Sequence, residues 1–361
     1  MKVPLNRMYV DDEIKKAVID VLESGRYVKG PRAKEMEEKF AKLVGSRFAV
    51  SCSSGSTALM LAFKALDVGP GDEVIVPSHT FIATLNGFWH YGARPRFVDI
   101  DPETFTMDPQ QVGEAVNEKT AGIVPVHIYG HPADMGELQD LAKEKEIPLI
   151  GDAAQAHGSQ YRGTDVGSIG DMTCYSFFPS KVVTVAGEGG MITCNDEKLH
   201  ELLLALRDHG RHTGERNVSS MAGFNMRMPE ILAAVGSIQL EHMNEWVERR
   251  REIAKRYSRE LEGIDDLELP AQKNWAKHVY YLYVARSQRR DELREHLNGL
   301  GVSTGVHYQV PTHKMPYIEN APVLPVTERI VDEILSLPMH PLLTEEEQTA
   351  VIEGVRSFSG G

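Results

Sequence analysis

The sequence predicts an α/β fold, with a large, mostly parallel-sheet domain followed by a smaller α+β C-terminal domain. Three observations lead there. Short apolar segments alternate with helix-like ones through the first two thirds of the chain, the pattern of parallel strands joined by crossover helices. From residue 230 to about 260 the pattern turns helical and charged, as a long connecting helix would. The 361 residues exceed what one small core needs, so a large unit with an appendage is expected. The boundary is placed at 240/241, giving a large domain over 1–240, N-terminal arm included, and a smaller one over 241–361.

Taken in order, Phe48-Ala-Val-Ser-Cys52 reads as a buried strand, and residues 57–66, rich in Ala and Leu, read as the helix after it. Gly69-Pro-Gly-Asp72 breaks the chain before a strand over 73–77. Residues 96–99, 121–126 and 147–150 repeat the strand pattern, with a helix over 138–145 between the last two, and Met191-Ile-Thr-Cys194 is a further strand. Beyond the connecting helix, 280–284 reads as a strand, and 291–297 and 344–358 as helices. The run Arg249-Arg-Arg251 reads as a solvated helix face balanced by Glu245, Glu248 and Glu252. Ligands of such sheets bind beyond the carboxyl ends of the strands. Here those ends are 52–57, 77–81 and 151–155.

Composition narrows the function. A net charge of −13 disfavours a nucleic-acid partner, because phosphate binding calls for a Lys/Arg excess. Cys52, Cys174 and Cys194 are an odd set with no CxxC pair, which argues against a disulfide framework and fits a reducing cytoplasm. No stretch approaches the roughly 18 apolar residues of a membrane helix, and the first residues lack the apolar core of a secretion signal. The pairs His127/His131 and His209/His212 lack a metal-binding quartet, so they read as loop histidines and no metal is expected.

The chemistry concentrates around Lys181. It follows Phe177-Phe-Pro-Ser180 and precedes a glycine-rich turn containing Gly187, Gly189 and Gly190. Apolar neighbours Phe177, Phe178, Val182 and Val183 lead one to expect a buried amine, whose neutral form is the nucleophile. Asp152 stands at the end of an apolar strand. On its own it would be read as the N-cap of a short helix. Beside a nucleophilic lysine, it is placed to keep a pyridine nitrogen protonated, the arrangement pyridoxal phosphate (PLP) chemistry needs. Gln155 and His157 follow closely and are candidates for the ring face or its phenolic oxygen. The turn Ser53-Ser-Gly-Ser-Thr57 joins a strand to a helix with small residues only, leaving backbone N–H groups for a phosphate. Gly55 permits close approach there and Ser56 offers a hydroxyl, as Ser176 does. Phe81, at a strand end, is the candidate to stack on a flat ring, although core packing is the commoner fate of a phenylalanine.

At this point the residues resemble the DegT/DnrJ/StrS family of PLP-dependent nucleotide-sugar aminotransferases. The resemblance runs nearly end to end. It takes in Ser24-Gly-Arg-Tyr-Val-Lys-Gly30-Pro31, Ser53-Ser-Gly-Ser56, Gly71-Asp-Glu-Val-Ile-Val-Pro77 and Pro125-Val-His-Ile-Tyr-Gly130. It continues through Asp152-Ala-Ala-Gln155-Ala-His157-Gly158, residues 176–190, Gly223-Phe-Asn-Met-Arg-Met228, His307-Tyr308 and Leu337-Pro-Met-His-Pro341. It implies the fold type I, aspartate aminotransferase-like architecture of PLP-dependent transferases. It also implies Lys181 as the Schiff-base lysine, Asp152 as the pyridinium partner, Gln155 on the phenolic side and Phe81 on the ring. Gly55, Ser56 and Ser176 would hold the phosphate, joined by Asn225 from a second subunit, and sites shared in this way imply a homodimer. His307, Tyr308 and His313 resemble the segment near the sugar. The implied reaction moves an amino group from an amino acid, L-glutamate, to a nucleotide-linked keto-hexose. A non-nucleotide ketone such as a keto-cyclitol, or a non-catalytic PLP-binding regulator, are the competing readings. Ser56 stands where the family more often has threonine, which keeps the hydroxyl. Val182-Val183 replaces the usual Asn-Leu type of pair, and there the substrate subclass is open.

Overall fold

The computed structural model describes residues 1–212 and 217–359. Its longer helices are α1 (Asp12–Ser24), α2 (Pro31–Val44), α3 (Gly55–Ala65), α4 (Ala83–Trp89), α5 (Pro109–Ala115), α6 (Met135–Lys145), α7 (Glu197–Arg207), α8 (Glu230–Glu241), α9 (Met243–Leu261), α10 (Arg290–Gly299), α11 (Pro325–Glu333) and α12 (Glu345–Ser359). The strands are β1 (Phe48–Cys52), β2 (Glu73–Pro77), β3 (Arg94–Val98), β4 (Thr120–Ile123), β5 (Ile150–Asp152), β6 (Gln160–Tyr161), β7 (Thr164–Asp165), β8 (Met172–Ser176), β9 (Gly190–Cys194), β10 (Ala276–Lys277), β11 (Tyr283–Arg286) and β12 (Ile334–Leu337).

Two ladders, β1-β9-β8-β5 and β3-β2-β4, are joined by parallel bridges from Ile123 to Leu149 and from Val126 to Asp152. The result is one sheet in the order β1-β9-β8-β5-β4-β2-β3. Its pairs are parallel except around β9, which runs antiparallel to both β1 and β8. That reversal suspends the Lys181 loop between the end of β8 and the start of β9. Helices α2, α3, α4 and α7 pack on the sheet and enclose the main core, where Phe40, Phe63, Phe88, Tyr175 and Phe177 are fully buried.

Local chemistry sets the helix ends. Asp11 Oδ1 accepts from the Ile14 N–H at 2.8 Å and Gly25 closes α1 at φ 66°. Pro31 opens α2, whose free N–H groups at Arg32 and Ala33 donate to the buried Glu230 carboxylate at 2.7 and 3.3 Å. Asp99, at the end of β3, does the same for α11 by accepting from Val326 N and Thr327 N, each at 2.8 Å.

Several expected elements differ. The connecting helix is two helices, α8 and α9, meeting at His242. The strand expected over 280–284 begins at Tyr283, because 279–282 crosses to the 129–130 loop: Val279 N–H donates to Gly130 O at 3.0 Å and Leu282 N–H to Tyr129 O at 3.4 Å. Asp152 caps no helix; it ends β5, and the chain turns after it. The Arg249–Arg251 run is not one solvated face. Arg249 and Arg251 pair with Glu252 and Glu248, but Arg250 is 1% exposed. The helical period places it with buried Trp246, Val247, Ile253 and Tyr257. A second apolar cluster joins α9, β11, β12 and α12 through Tyr257, Tyr283, Leu335 and Val351, and Val3 of the N-terminal arm packs into it. No helix among the described residues is long and apolar enough to cross a membrane.

Candidate active site

A cavity of about 370 Å³ opens beyond the carboxyl ends of β5 and β8. Larger basins of about 660, 810 and 550 Å³ lie elsewhere, and none of these is lined by Lys181 or Asp152.

Asp152 forms one wall. It is 6% exposed, with Oδ2 accepting from the Thr84 hydroxyl at 2.7 Å and Oδ1 from the Ala154 N–H at 3.1 Å. Thr84 is in turn paired with Thr80 at 2.7 Å. Burial pushes the Asp152 carboxyl pKa up, while these two donors and the charge of Lys181 pull it back. A buried carboxylate facing a cavity with no salt-bridge partner among the described residues is costly, and it invites a cationic group such as a protonated ring nitrogen.

The opposite end suits an anion. Ser54 caps α3: its hydroxyl accepts from Thr57 N–H at 3.2 Å while Thr57 Oγ1 accepts from Ser54 N–H at 2.9 Å. The first intrahelical-type bond is that of Ala58 N–H to Ser54 O, so the Gly55 and Ser56 N–H groups precede the helix ladder. Gly55 serves a packing need as well, since a Cβ there would lie 2.6 Å from Ser176 Cβ. Its absence lets the Ser176 hydroxyl stand beside the helix start. Gly55→Ala is therefore expected to cost about 1–3 kcal/mol by overpacking, read as a lower urea midpoint, and to weaken phosphate binding. Gly113→Ala in α5 meets nothing within 4 Å and is expected to stabilise by up to about 1 kcal/mol. Equal effects of the two changes would refute the packing argument.

Lys181 lines the cavity between these ends. The burial expected of it goes instead to Phe177, Val182 and Val183, which enter the core. Lys181 is half-buried, and Phe178 is exposed. The Lys181 ammonium lies over the Tyr281 ring, 4.7 Å from its centroid. Phe81 is 52% exposed at the cavity mouth rather than in the core, its ring 5.4 Å from that of Tyr308. Gln155 is held at both ends: Oε1 accepts from Tyr129 N–H at 2.7 Å, and Nε2 donates to Tyr308 Oη at 3.0 Å. His307 lines the cavity, its Nδ1 2.8 Å from Ser336 Oγ.

Three residues lie apart. His157 is fully buried in an aromatic shell of Phe40, Tyr175 and Phe177, and burial pushes its pKa down to about 3. His313 is also buried, with Nδ1 2.5 Å from Ser78 Oγ and Nε2 3.1 Å from Glu328 Oε1; it braces the loop behind the cavity. Asn225 is exposed, bridged to Asp208, and does not line the cavity of its own chain. Thr84 and Tyr281 carry no sequence signal of their own, and both act on the central pair.

The residues thus fit PLP: a buried acid for the ring nitrogen, an amine in between, an open aromatic ring, and a capped helix start with two hydroxyls for the phosphate.

A sequence profile of the DegT/DnrJ/EryC1/StrS aminotransferase family matches residues 8–356. The chain is 40% identical over 352 residues to a protein of Geobacillus stearothermophilus named pleiotropic regulatory protein, covering 96% of this chain and 94% of that one. It is 40% identical over 347 residues to the dTDP-3-amino-3,4,6-trideoxy-alpha-D-glucose transaminase of Streptomyces venezuelae, with 95% and 91% covered. The crystal structure of S. venezuelae DesV has a TM-score of 0.94 at 39% identity, covering 97% of this chain and 95% of that one. That of NtdA from Bacillus subtilis, with bound cofactor PMP, has a TM-score of 0.93 at 32% identity, covering 99% and 84%.

Proposed function

The chain belongs to the DegT/DnrJ/EryC1/StrS aminotransferase family, and on that premise we propose that it moves an amino group from L-glutamate onto the keto carbon of a nucleotide-linked hexose. As a member it is a PLP-dependent enzyme. The observation that carries the reading is the placement of Lys181 and Asp152 on one cavity with a capped helix start opposite.

When bound, PLP supplies an electrophilic carbon that takes up the amino group and a ring that accepts the electron pair left at the donor Cα. The chain supplies the rest. Lys181 Nζ would hold that carbon and, as the free amine, would take the proton off the donor Cα in one half of the reaction and deliver a proton to the acceptor carbon in the other. Asp152 would hold the proton on the ring nitrogen, and Thr84 with the Ala154 N–H keeps its carboxylate aimed. Gln155 would meet the phenolic oxygen, Phe81 would cover the ring, and Gly55, Ser56 and Ser176 would receive the phosphate. His307 and Tyr308 face the sugar.

Asn225 completes the phosphate site of a second copy in this reading, which makes the working form a homodimer; its exposed place outside its own cavity supports that. The second apolar cluster supports the division into 1–240 and 241–361. Three free buried cysteines support a reducing, cytoplasmic setting.

The test is a panel of ketones with L-glutamate, read by mass of the amine product. Nucleotide-linked keto-hexoses are expected to exceed keto-cyclitols in kcat/KM on the order of 100-fold. A preference for the cyclitols would overturn the substrate class, and no product from either would overturn the reading as a whole.

A further inference from the structure

Arg250 is a buried cation without a carboxylate partner among the described residues. Its side chain instead donates to three carbonyls, those of Tyr280, Tyr281 and Met339, at 3.3, 3.2 and 2.8 Å. Placing a charge inside a protein on backbone carbonyls alone is costly, so these contacts hold something in place at a price in stability. What they hold is the crossing segment 279–282. Tyr280 adopts φ 48°, a left-handed conformation that a bulky aromatic rarely takes, with its N–H donating to His278 Nδ1 at 3.1 Å. The next residue, Tyr281, is 7% exposed, and its ring face receives Lys181 Nζ. Its hydroxyl lies 3.1 Å from Ser180 Oγ, on the residue before that lysine.

We propose that Tyr281 is a positioning residue for the Lys181 amine, which rests on its ring face whenever it is released, and that Arg250 sets that ring through the backbone. The ring quadrupole attracts the cation without a fixed hydrogen-bond direction. It can therefore hold the amine near the reacting carbon and still let it swing. A carboxylate in that place would trap the amine as an ion pair. Ser180 ties ring and lysine loop together, so the two move as one. The proposal rests on the reading of Lys181 as the reacting amine.

The test uses the full-length protein loaded with pyridoxamine phosphate, in which the Lys181 amine is free, reductively methylated with ¹³C-formaldehyde. The Lys181 methyl resonance is assigned by its loss in Lys181→Arg. It is expected upfield of the other lysines, shifted by the Tyr281 ring current. Tyr281→Leu is expected to abolish the shift, Tyr281→Phe to keep it, and Arg250→Lys, which retains charge but not the planar fork, to lose part of it. In Tyr281→Leu loaded instead with pyridoxal phosphate, the single-turnover rate with glutamate is expected to fall roughly three- to thirtyfold, the worth of such a contact, with KM for glutamate unchanged. An upfield signal that persists in Tyr281→Leu, or a change confined to KM, overturns the proposal. A Lys181→Ala protein that still transaminates at full rate would instead sink the reading of Lys181 and leave the contact itself standing, so the two failures are distinguishable.

Discussion

Lys181→Ala is expected to yield protein that folds normally, shows no covalent hydride trapping of the cofactor, and transaminates about 10³-fold more slowly, the usual worth of a positioned proton carrier. The expectation combines a small structural role with a large chemical one. Lys181 is half-buried and its side chain makes no ion pair among the described residues; removing it gives up a cation–π contact worth about 0.5–1 kcal/mol. Stability should therefore move little, and the loss can be read as chemistry. Added small primary amines are expected to restore part of the rate, because they can enter the cavity and move the proton in place of Nζ. Full-rate transamination by the variant would remove Lys181 from the mechanism. A variant that fails to fold would contradict the half-buried placement of the side chain.

The legible parts of this site are those whose signal is local. Asp152 closes an apolar strand, and Ser54-Gly-Ser-Thr57 is a capping sequence written in consecutive residues. Both can be found without knowing the fold. Thr84, which aims Asp152, sits in a short helix a strand away, and nothing in its neighbours marks it. Tyr281 belongs to a run of aromatic residues that reads as strand. Only the crossing contacts of Val279 and Leu282 with the 129–130 loop pull it out of the strand and over Lys181.

Nearness in sequence also misleads. His157 stands two residues from Gln155, yet the turn after β5 sends one to the cavity and the other into the aromatic core. Phe81 shows the opposite effect: its composition points inward, while its position beyond β2 leaves it open to solvent. Arg250 was masked by its charged neighbours. Counting charges describes Arg249 and Arg251 well, but the 3.6-residue period through Trp246, Val247, Ile253 and Tyr257 governs the one between them. Charge patterns report faces, and a single residue can belong to another face than its run.

Asp152→Asn is expected to separate stability from activity. Asparagine keeps the shape and an oxygen for the Thr84 hydroxyl, and gives up only the longer bond that Oδ1 accepts from the Ala154 N–H at 3.1 Å. It cannot carry the charge that keeps a ring nitrogen protonated, and the rate is expected to fall on the order of 10²–10⁴-fold. Stability of the cofactor-free protein should move the other way. Burial raises the Asp152 pKa in the folded state, and for a carboxyl raised on folding the favourable contribution is present below the unfolded value, about 3.9, and is lost as pH rises through the folded one. At neutral pH the ionised group therefore opposes folding, and the neutral amide should give a higher Tm there, with the gap closing as pH falls toward 4. Cofactor should reverse the order: it brings a cationic ring to the carboxylate of the wild type, and the amide has no such partner. Wild-type Tm is thus expected to rise more on loading than that of Asp152→Asn. Equal gains in the two proteins would mean that Asp152 does not face the ring nitrogen, however close it lies to Lys181.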